Sequence, residues 1–221
     1  MSTKNILLTG VGGQGTILAS KLLTNGLIEA GYDVKMSEVH GMSQREGPVL
    51  THVRFGEKVF SPIVEKRKAD LIMGFEELEV LRNLDYLHDD GKGIVIFNRV
   101  RVNPMGVQMG KEKYPTNGEE LIRARAGKLI ALDGQAEARD LGNPRVMNII
   151  LLGVLIRELG LQEIDWNRII AENVKEKRVP LNQQALQVGL SLEKETMTAR
   201  YCLSKSRSEE HTSELQSPNT I

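Results

Sequence analysis

Cysteine is nearly missing from this sequence: Cys202 is the single one among 221 residues. A disulfide needs two cysteines, and thiolate zinc sites and iron–sulfur clusters need several. The sequence therefore excludes a disulfide framework and a metal–sulfur centre held by this chain alone. Any such redox centre connected with the chain has to be held by a partner.

Long hydrophobic runs and an excess of one charge are missing as well. The longest apolar run covers only residues 149–156, whereas a membrane-spanning helix needs about 20 residues. The N-terminus starts with a strand-like segment instead of a basic, apolar leader. Lysine plus arginine and aspartate plus glutamate both number 29, so no net field attracts nucleic acid or an anionic membrane. We predict a cytoplasmic protein with neither nucleic acid nor a membrane as a partner.

The composition that remains is typical of a globular chain, with 40% apolar and 26% charged residues. The length favours one domain, which we assign to residues 1–200. Residues 207–221 are polar and aperiodic, and they look like the in-frame translation of a sequencing-adapter oligonucleotide. We interpret them as a non-native tail that leaves the natural C-terminus open; an ordinary disordered tail is the alternative.

Short apolar runs alternate with helix-like segments along the chain. Runs typical of buried strands cover residues 6–8, 34–39, 69–73, 93–97 and 128–132, and helical periodicity covers residues 16–29, 76–84 and 119–126. This alternation predicts an α/β fold with a Rossmann-like open, mostly parallel sheet and helices on both faces. The first strand, the first helix and the second strand are expected to form a right-handed βαβ unit.

Two regions depart from this alternation. Residues 49–55 alternate apolar with polar side chains, which predicts a further strand whose wetter face carries His52 and Arg54. The C-terminal third is helical, and its first helix is capped by Asn143 with Pro144 in the first turn. This helix is apolar on nearly every side, so we expect it to be buried against the sheet or against another subunit. The helices of this third are predicted over residues 146–159, 166–175 and 180–195.

A glycine-rich turn follows the first predicted strand. Gly10, Gly12 and Gly15 fit the pattern G-x-G-x-x-G, and Glu38 lies near the end of the second strand, where NAD enzymes carry a ribose-binding acid. Such a turn presents backbone N–H groups and the positive helix end to a phosphate. The pattern alone favours a dinucleotide; the alternative is that the glycines only let the helix pack closely. No Lys-Ser or Lys-Thr follows the glycines, so a Walker loop is excluded.

A second polar loop, residues 38–48, changes this interpretation. The motifs that matter occur in one order: Gly10-Val-Gly-Gly-Gln-Gly15, Ser37-Glu-Val-His-Gly-Met-Ser-Gln-Arg45, Thr51-His-Val-Arg-Phe-Gly56, Ser61-Pro62, Ala69-Asp70 and Phe75-Glu76. With them, over residues 5–190, the sequence resembles the gamma component of the 2-oxoacid:ferredoxin oxidoreductases. Within that family it is most similar to the small (beta) subunit of indolepyruvate ferredoxin oxidoreductases. The two loops in order are more specific than either loop alone.

The resemblance implies a role within an assembly. In that family, thiamine diphosphate with its magnesium ion and iron–sulfur clusters lie on other domains or subunits. There they support oxidative decarboxylation of a 2-oxo acid to acyl-coenzyme A, and the electrons pass to ferredoxin. This chain lacks the cysteines and the Gly-Asp-Gly run that such groups need, so we expect a gamma-type domain that is not catalytically complete alone. The expected partners are a larger thiamine- and cluster-binding subunit and, through the complex, ferredoxin.

The candidate cofactor-binding or interface residues lie in the two loops. They are Gly10, Gly12, Gly13, Gln14, Gly15, Glu38, His40, Gly41, Ser43, Gln44 and Arg45. We assign no catalytic residue, and no metal ligand because His88 and His211 have no suitably spaced partners. The loops are expected to converge at the carboxyl end of the first strands. There they either bind coenzyme A phosphates or shape a subunit interface.

Individual side chains of the second loop leave alternatives open. Arg45 suits bidentate binding of a phosphate, but an ordinary salt bridge is equally supported. We prefer a structural or interface role for His40, because no nucleophile lies nearby for it to activate. Gln14 and Gln44 bond either a ligand or the neighbouring loop. Glu46 stands where family chains often carry glycine, and its carboxylate would repel a phosphate.

Two functions of other classes also stay open. One is a stand-alone NAD(P)- or FAD-dependent oxidoreductase that uses the glycine turn. The other is a non-catalytic assembly module whose glycine loop binds nothing. Ligand titration distinguishes them from the subunit hypothesis.

Overall fold

The computed structural model describes residues 3–41 and 47–192, apart from the side chain of His40. Ser43, Gln44 and Arg45 of the second loop and the tail 207–221 lie outside the described residues. All elements below belong to one compact unit, residues Met1–Ser191.

A six-stranded sheet forms the centre of this unit. Its strands are β1 (Lys4–Val11), β2 (Asp33–His40), β3 (Pro48–Gly56), β4 (Leu71–Gly74), β5 (Ile94–Asn98) and β6 (Lys128–Leu132). The order across the sheet is β2-β3-β1-β4-β5-β6. Strands β1, β4, β5 and β6 pair in parallel, whereas β3 is antiparallel to β1 and to β2. The predicted α/β fold with a mostly parallel sheet is confirmed.

Eight α-helices surround the sheet in the described part of the chain. They are α1 (Thr16–Glu29), α2 (Glu77–Asn83), α3 (Met105–Gln108), α4 (Gly118–Arg125), α5 (Gly134–Asp140), α6 (Met147–Leu159), α7 (Trp166–Asn173) and α8 (Val179–Ser191). Successive residues of a strand point to opposite faces. Ile6, Leu7 and Leu8 of β1 are all fully buried, so the sheet is covered on both faces at its centre.

We expected β1, α1 and β2 to form a simple βαβ unit, but β3 lies between the two strands. β1 pairs with β3 and β4, and β2 pairs with β3 alone among the described strands, so β3 separates β1 from β2. The sequence pattern identified all three strands but not their neighbours. The short connection between β2 and β3 favours an antiparallel pair, because parallel strands need a long crossover.

The predicted wetter face of β3 is confirmed only in part: Leu50 and Arg54 on it are half-buried, whereas the opposite face is buried throughout, but His52 is not exposed. His52 is only 3% exposed, its Nδ1 accepts a hydrogen bond from the Val64 N–H (3.2 Å), and its ring meets Tyr86 edge to face. Arg54 donates to the carbonyls of Ser61 and Ile63. Chain that follows β3 therefore covers this face, which no alternation within β3 could reveal.

Packing within the chain explains why the sequence of helix α6 is apolar on nearly every side. Residues 147–156 are all buried, and the helix contacts α8 through glycines. A Cβ added at Gly153 would lie 2.6 Å from the Leu186 carbonyl oxygen, and one at Gly189 would lie 2.9 Å from the Gly153 Cα. Real Cβ atoms do not approach backbone so closely, so both glycines are needed for the two helices to touch.

Candidate functional site

The glycine loop joins the carboxyl end of β1 to the start of α1. Gly13 has φ +97° and Gly15 has φ +84°, a left-handed conformation that glycine adopts without a steric penalty. Gly15 is the N-cap residue of α1, and no side chain caps the helix there. The first turn of α1 contains no acidic residue. The partial positive charge of the helix N-terminus therefore stays uncompensated by local side chains.

The glycines of this loop serve different purposes. A Cβ at Gly10 would lie 2.8 Å from Gln14 Oε1 and 2.9 Å from Phe75 Cβ, and a Cβ at Gly15 would lie 2.9 Å from Asn148 Cγ. These two glycines make room for close packing inside the protein. Gly13 is different: it is exposed, and apart from its two chain neighbours no described residue has an atom within 4 Å of the position of its Cβ. Gly13 therefore faces open space.

Gln14 fixes the loop to the neighbouring strand. Its Oε1 accepts a hydrogen bond from the Val11 N–H (2.8 Å), and its Nε2 donates to the Phe75 carbonyl just beyond β4 (3.3 Å). Both polar ends of this side chain thus bond the protein itself. The sequence left open whether Gln14 bonds a ligand or the loop, and the geometry favours a structural brace.

The ends of the two loops lie side by side. The Gly12 N–H donates to the Gly47 carbonyl at 2.9 Å, and the Gly41 N–H donates to the Pro48 carbonyl at 3.3 Å. The pairing of β1 with β3 extends to Val11 opposite Pro48. Gly47, which precedes Pro48, therefore lies beside the glycine loop. Gly10, Gly12, Gly13, Gln14, Gly15 and Gly41 are thus gathered at one end of the sheet. The side chain of His40 and residues Ser43, Gln44 and Arg45 lie outside the description.

Glu38 occupies a different place from a ribose-binding acid. Such an acid follows a strand that adjoins the first strand of a Rossmann sheet. Here β3 intervenes, which displaces β2 from β1 by two strand spacings, roughly 9 to 10 Å. The Glu38 carboxylate accepts a hydrogen bond from Ser20 Oγ at 3.3 Å, beyond the first turn of α1. The strand order therefore argues against the NAD arrangement.

An acidic cluster that the sequence did not identify lies just beyond β4. Glu76, Glu77 and Glu79 are each at most 3% exposed. Glu76 caps α2 by accepting a hydrogen bond from the Glu79 N–H at 2.8 Å, and its other oxygen accepts from the Tyr114 hydroxyl and from the Val102 N–H. The carboxylate of Glu76 thus ties α2 to two later segments of the chain. Three acids after a buried strand were the available signal, but acids in a first helical turn are usually exposed.

Burial shifts the pKa of two groups in and beside this cluster. Burial raises the pKa of Glu79, and the nearby Arg82 charge opposes that rise only in part. Burial also raises the pKa of Tyr114, and the hydrogen bond that its hydroxyl donates to Glu76 adds to the effect. Glu77 pairs with Arg101 at 2.8 Å. Each carboxylate has a protein partner, so the cluster acts as a scaffold beside the glycine loop.

Two classes of feature are absent from the described ranges 3–41 and 47–192. No group of three or more His, Cys, Asp or Glu side chains there is arranged to hold a metal ion. No helix within those ranges has the length and apolar content to cross a membrane.

Comparison with known proteins agrees with the family resemblance of the sequence. The family model described as pyruvate ferredoxin/flavodoxin oxidoreductase matches residues 5–192. The chain is 39% identical over 203 residues to the indolepyruvate oxidoreductase subunit IorB of Thermococcus kodakarensis. The aligned region covers 89% of this chain and 99% of that subunit.

Solved structures share the fold. The pyruvate oxidoreductase subunit PORC of Thermotoga maritima superposes with a TM-score of 0.63 at 20% identity, covering 86% of this chain and 96% of that one. A 2-oxoglutarate:ferredoxin oxidoreductase of Magnetococcus marinus, with 2-oxoglutarate, coenzyme A and succinyl-CoA bound, superposes with a TM-score of 0.65 at 15% identity. That match covers 86% of this chain and 31% of the other, so this fold is one part of that larger chain.

Proposed function

This chain belongs to the pyruvate ferredoxin/flavodoxin oxidoreductase family, and from that premise we propose that it is the small subunit of an indolepyruvate-type 2-oxoacid:ferredoxin oxidoreductase. The observation that carries the proposal is the match to the indolepyruvate oxidoreductase subunit, which spans 99% of that subunit at 39% identity. The substrate class is an aryl pyruvate, and the products are an acyl-coenzyme A and carbon dioxide. Ferredoxin accepts the electrons.

The catalytic groups are proposed to lie on a larger partner subunit. The described part of this chain has no cluster of metal ligands, and the whole sequence has one cysteine, so its residues do not fit a thiamine-bound magnesium ion or an iron–sulfur cluster. When bound, those groups supply decarboxylation and electron transfer. The chain then contributes binding and shape to a site that the partner completes, in a complex that we propose is cytoplasmic.

For coenzyme A, the residues of the glycine loop do fit. Gly13 leaves open space above the loop, and the start of α1 has no capping side chain. The Thr16 hydroxyl in the first turn is buried, and among the described residues it has no hydrogen-bond partner. Backbone N–H groups at a helix start, with a hydroxyl beside them, suit a phosphate. We propose that a coenzyme A phosphate is held here, with Arg45 of the second loop as its charged partner.

The stand-alone dinucleotide enzyme is the rival function. It shares the glycine turn but needs an acid at the end of a strand adjoining β1. The separation of β1 from β2 by β3 and the bond from Ser20 to Glu38 both disfavour it. The strand order is therefore the observation that favours coenzyme A over NAD.

A titration of the purified full chain tests the proposal. We expect coenzyme A to bind, and its binding to weaken about tenfold or more in Arg45→Ala, which removes a charge-assisted hydrogen bond. The matched control is Arg123→Ala, which removes an exposed arginine of α4 and should leave binding unchanged. Tight binding of NAD would overturn the proposal. If neither ligand binds but the chain co-purifies with a thiamine-dependent iron–sulfur partner, the loop is an interface element instead.

A further inference from the structure

A cavity of 270 Å³ lies between the start of α6, the connection from α7 to α8 and the first turn of α8. Three cations line it: Arg145 just before α6, and Lys175 and Arg178 on the connection from α7 to α8. No aspartate or glutamate is among the described residues that line it. Clefts lined by one sign of charge concentrate ions of the opposite sign, so this cavity attracts anions.

Within the described part of the chain, these three cations have no acidic partner to neutralise them. In the ranges 3–41 and 47–192, most other arginines, such as Arg99 and Arg168, pair with carboxylates, yet no ion pair joins Arg145, Lys175 or Arg178 to an acid of the described chain. Like charges gathered around one cavity repel each other. A bound anion removes that repulsion, and arginine is the side chain best suited to bind phosphate oxygens bidentately.

Amide side chains complete the lining. Asn143 accepts a hydrogen bond from the Arg145 N–H (3.0 Å) through its Oδ1, which fixes the orientation of its amide and leaves the Nδ2 donor for a ligand. Asn148 also lines the cavity, and its Nδ2 donates to the Gly15 carbonyl at 3.1 Å. The cavity is therefore separate from the glycine loop but joined to it through one side chain.

We propose that this cavity is a binding site for the phosphate group of a small organic phosphate. The volume is below the usual range of roughly 300 to 1,000 Å³ for a drug-sized ligand, so it suits a phosphate-sized anion with part of its carrier. Two sources share this chemistry: a phosphate of the nucleotide-like cofactor that reaches the glycine loop, or a separate phosphorylated metabolite. The site stands on its own charges and does not depend on the function proposed above.

The test measures binding of inorganic pyrophosphate to the purified full chain by calorimetry at low salt. We expect saturable binding that weakens about tenfold or more in Arg145→Gln and in Arg178→Gln, because each loses a charge-assisted contact. The matched control is Lys177→Gln, on the same short turn as Arg178 but outside the cavity lining; it should change the affinity less than about twofold. Unchanged melting temperatures without ligand verify that the variants fold.

Competition then distinguishes the sources. If coenzyme A displaces pyrophosphate and dephospho-coenzyme A does not, the cavity holds the phosphate of that cofactor; if neither displaces it, the ligand is a separate phosphate ester. Both results support the site. Binding weaker than about 1 mM, or an equal loss of affinity in Lys177→Gln, overturns it. Because this test changes Arg145 and Arg178 and leaves Arg45 in place, a failure here leaves the result for Arg45→Ala intact.

Discussion

The two left-handed glycines of the loop give a sharp prediction about stability. Alanine at either position has to adopt a left-handed conformation, which costs about 1 to 2 kcal/mol. At Gly13 that is the whole penalty, since no described atom lies near the added methyl group. At Gly15 the methyl group also meets Asn148, which is 3% exposed and has little room to move. Overpacking of that kind adds about 1 to 3 kcal/mol.

We therefore expect Gly13→Ala to lower the free energy of unfolding by about 1 to 2 kcal/mol and Gly15→Ala by about 2 to 5 kcal/mol. Urea unfolding followed by circular dichroism measures both values. In an Asn148→Ala background the added methyl group meets a smaller side chain, so Gly15→Ala should approach the value for Gly13→Ala. An equal cost of the two single substitutions would refute the assignment of Gly15 to packing and of Gly13 to open space.

Three further outcomes are expected. Gly189→Ala should lower the unfolding free energy by about 3 kcal/mol or more, because its methyl group meets the backbone of α6; an effect under about 1 kcal/mol would contradict the close helix contact. Burial lowers the pKa of His52, so its stabilising contribution is complete above the unfolded pKa of about 6.5 and is lost as the pH falls. Urea unfolding between about pH 7.5 and 5.5 should thus show a steeper loss for the wild type than for His52→Gln, by at most about 1.4 kcal/mol per pH unit, and parallel curves would contradict the buried neutral imidazole. Tyr114→Phe should cost about 1 to 3 kcal/mol in the same assay, because it removes one of the three hydrogen-bond donors to the buried Glu76 carboxylate; a neutral result would contradict the scaffold role.

The positions of helices and strands were predictable where the sequence pattern is local. Residues 16–29 and 128–132 were predicted as helix and strand, and the structure has α1 and β6 with these bounds. The order of strands was not predictable in the same way, because β3 enters between β1 and β2 through pairing that no local period records. The burial of His52 likewise comes from chain that follows β3, including Val64. Local patterns identify elements, and contacts distant in sequence decide their neighbours.

The candidate site shows the same division. The spacing of glycines correctly located a turn between β1 and α1. Which glycine packs and which faces open space depends on Phe75 and Asn148, far away in the sequence. The acidic cluster was missed because Glu76 looks like an ordinary exposed residue at a helix start, and its burial depends on the segment that carries Tyr114.

The central claim is that this chain works only as part of a complex. The most direct test measures reduction of ferredoxin with indolepyruvate and coenzyme A, for this chain, for a co-expressed thiamine- and iron–sulfur-binding partner, and for the two together. We predict activity only when both are present, with no reduction by this chain alone. Reduction catalysed by this chain alone, or full activity of the partner without it, would contradict the claim.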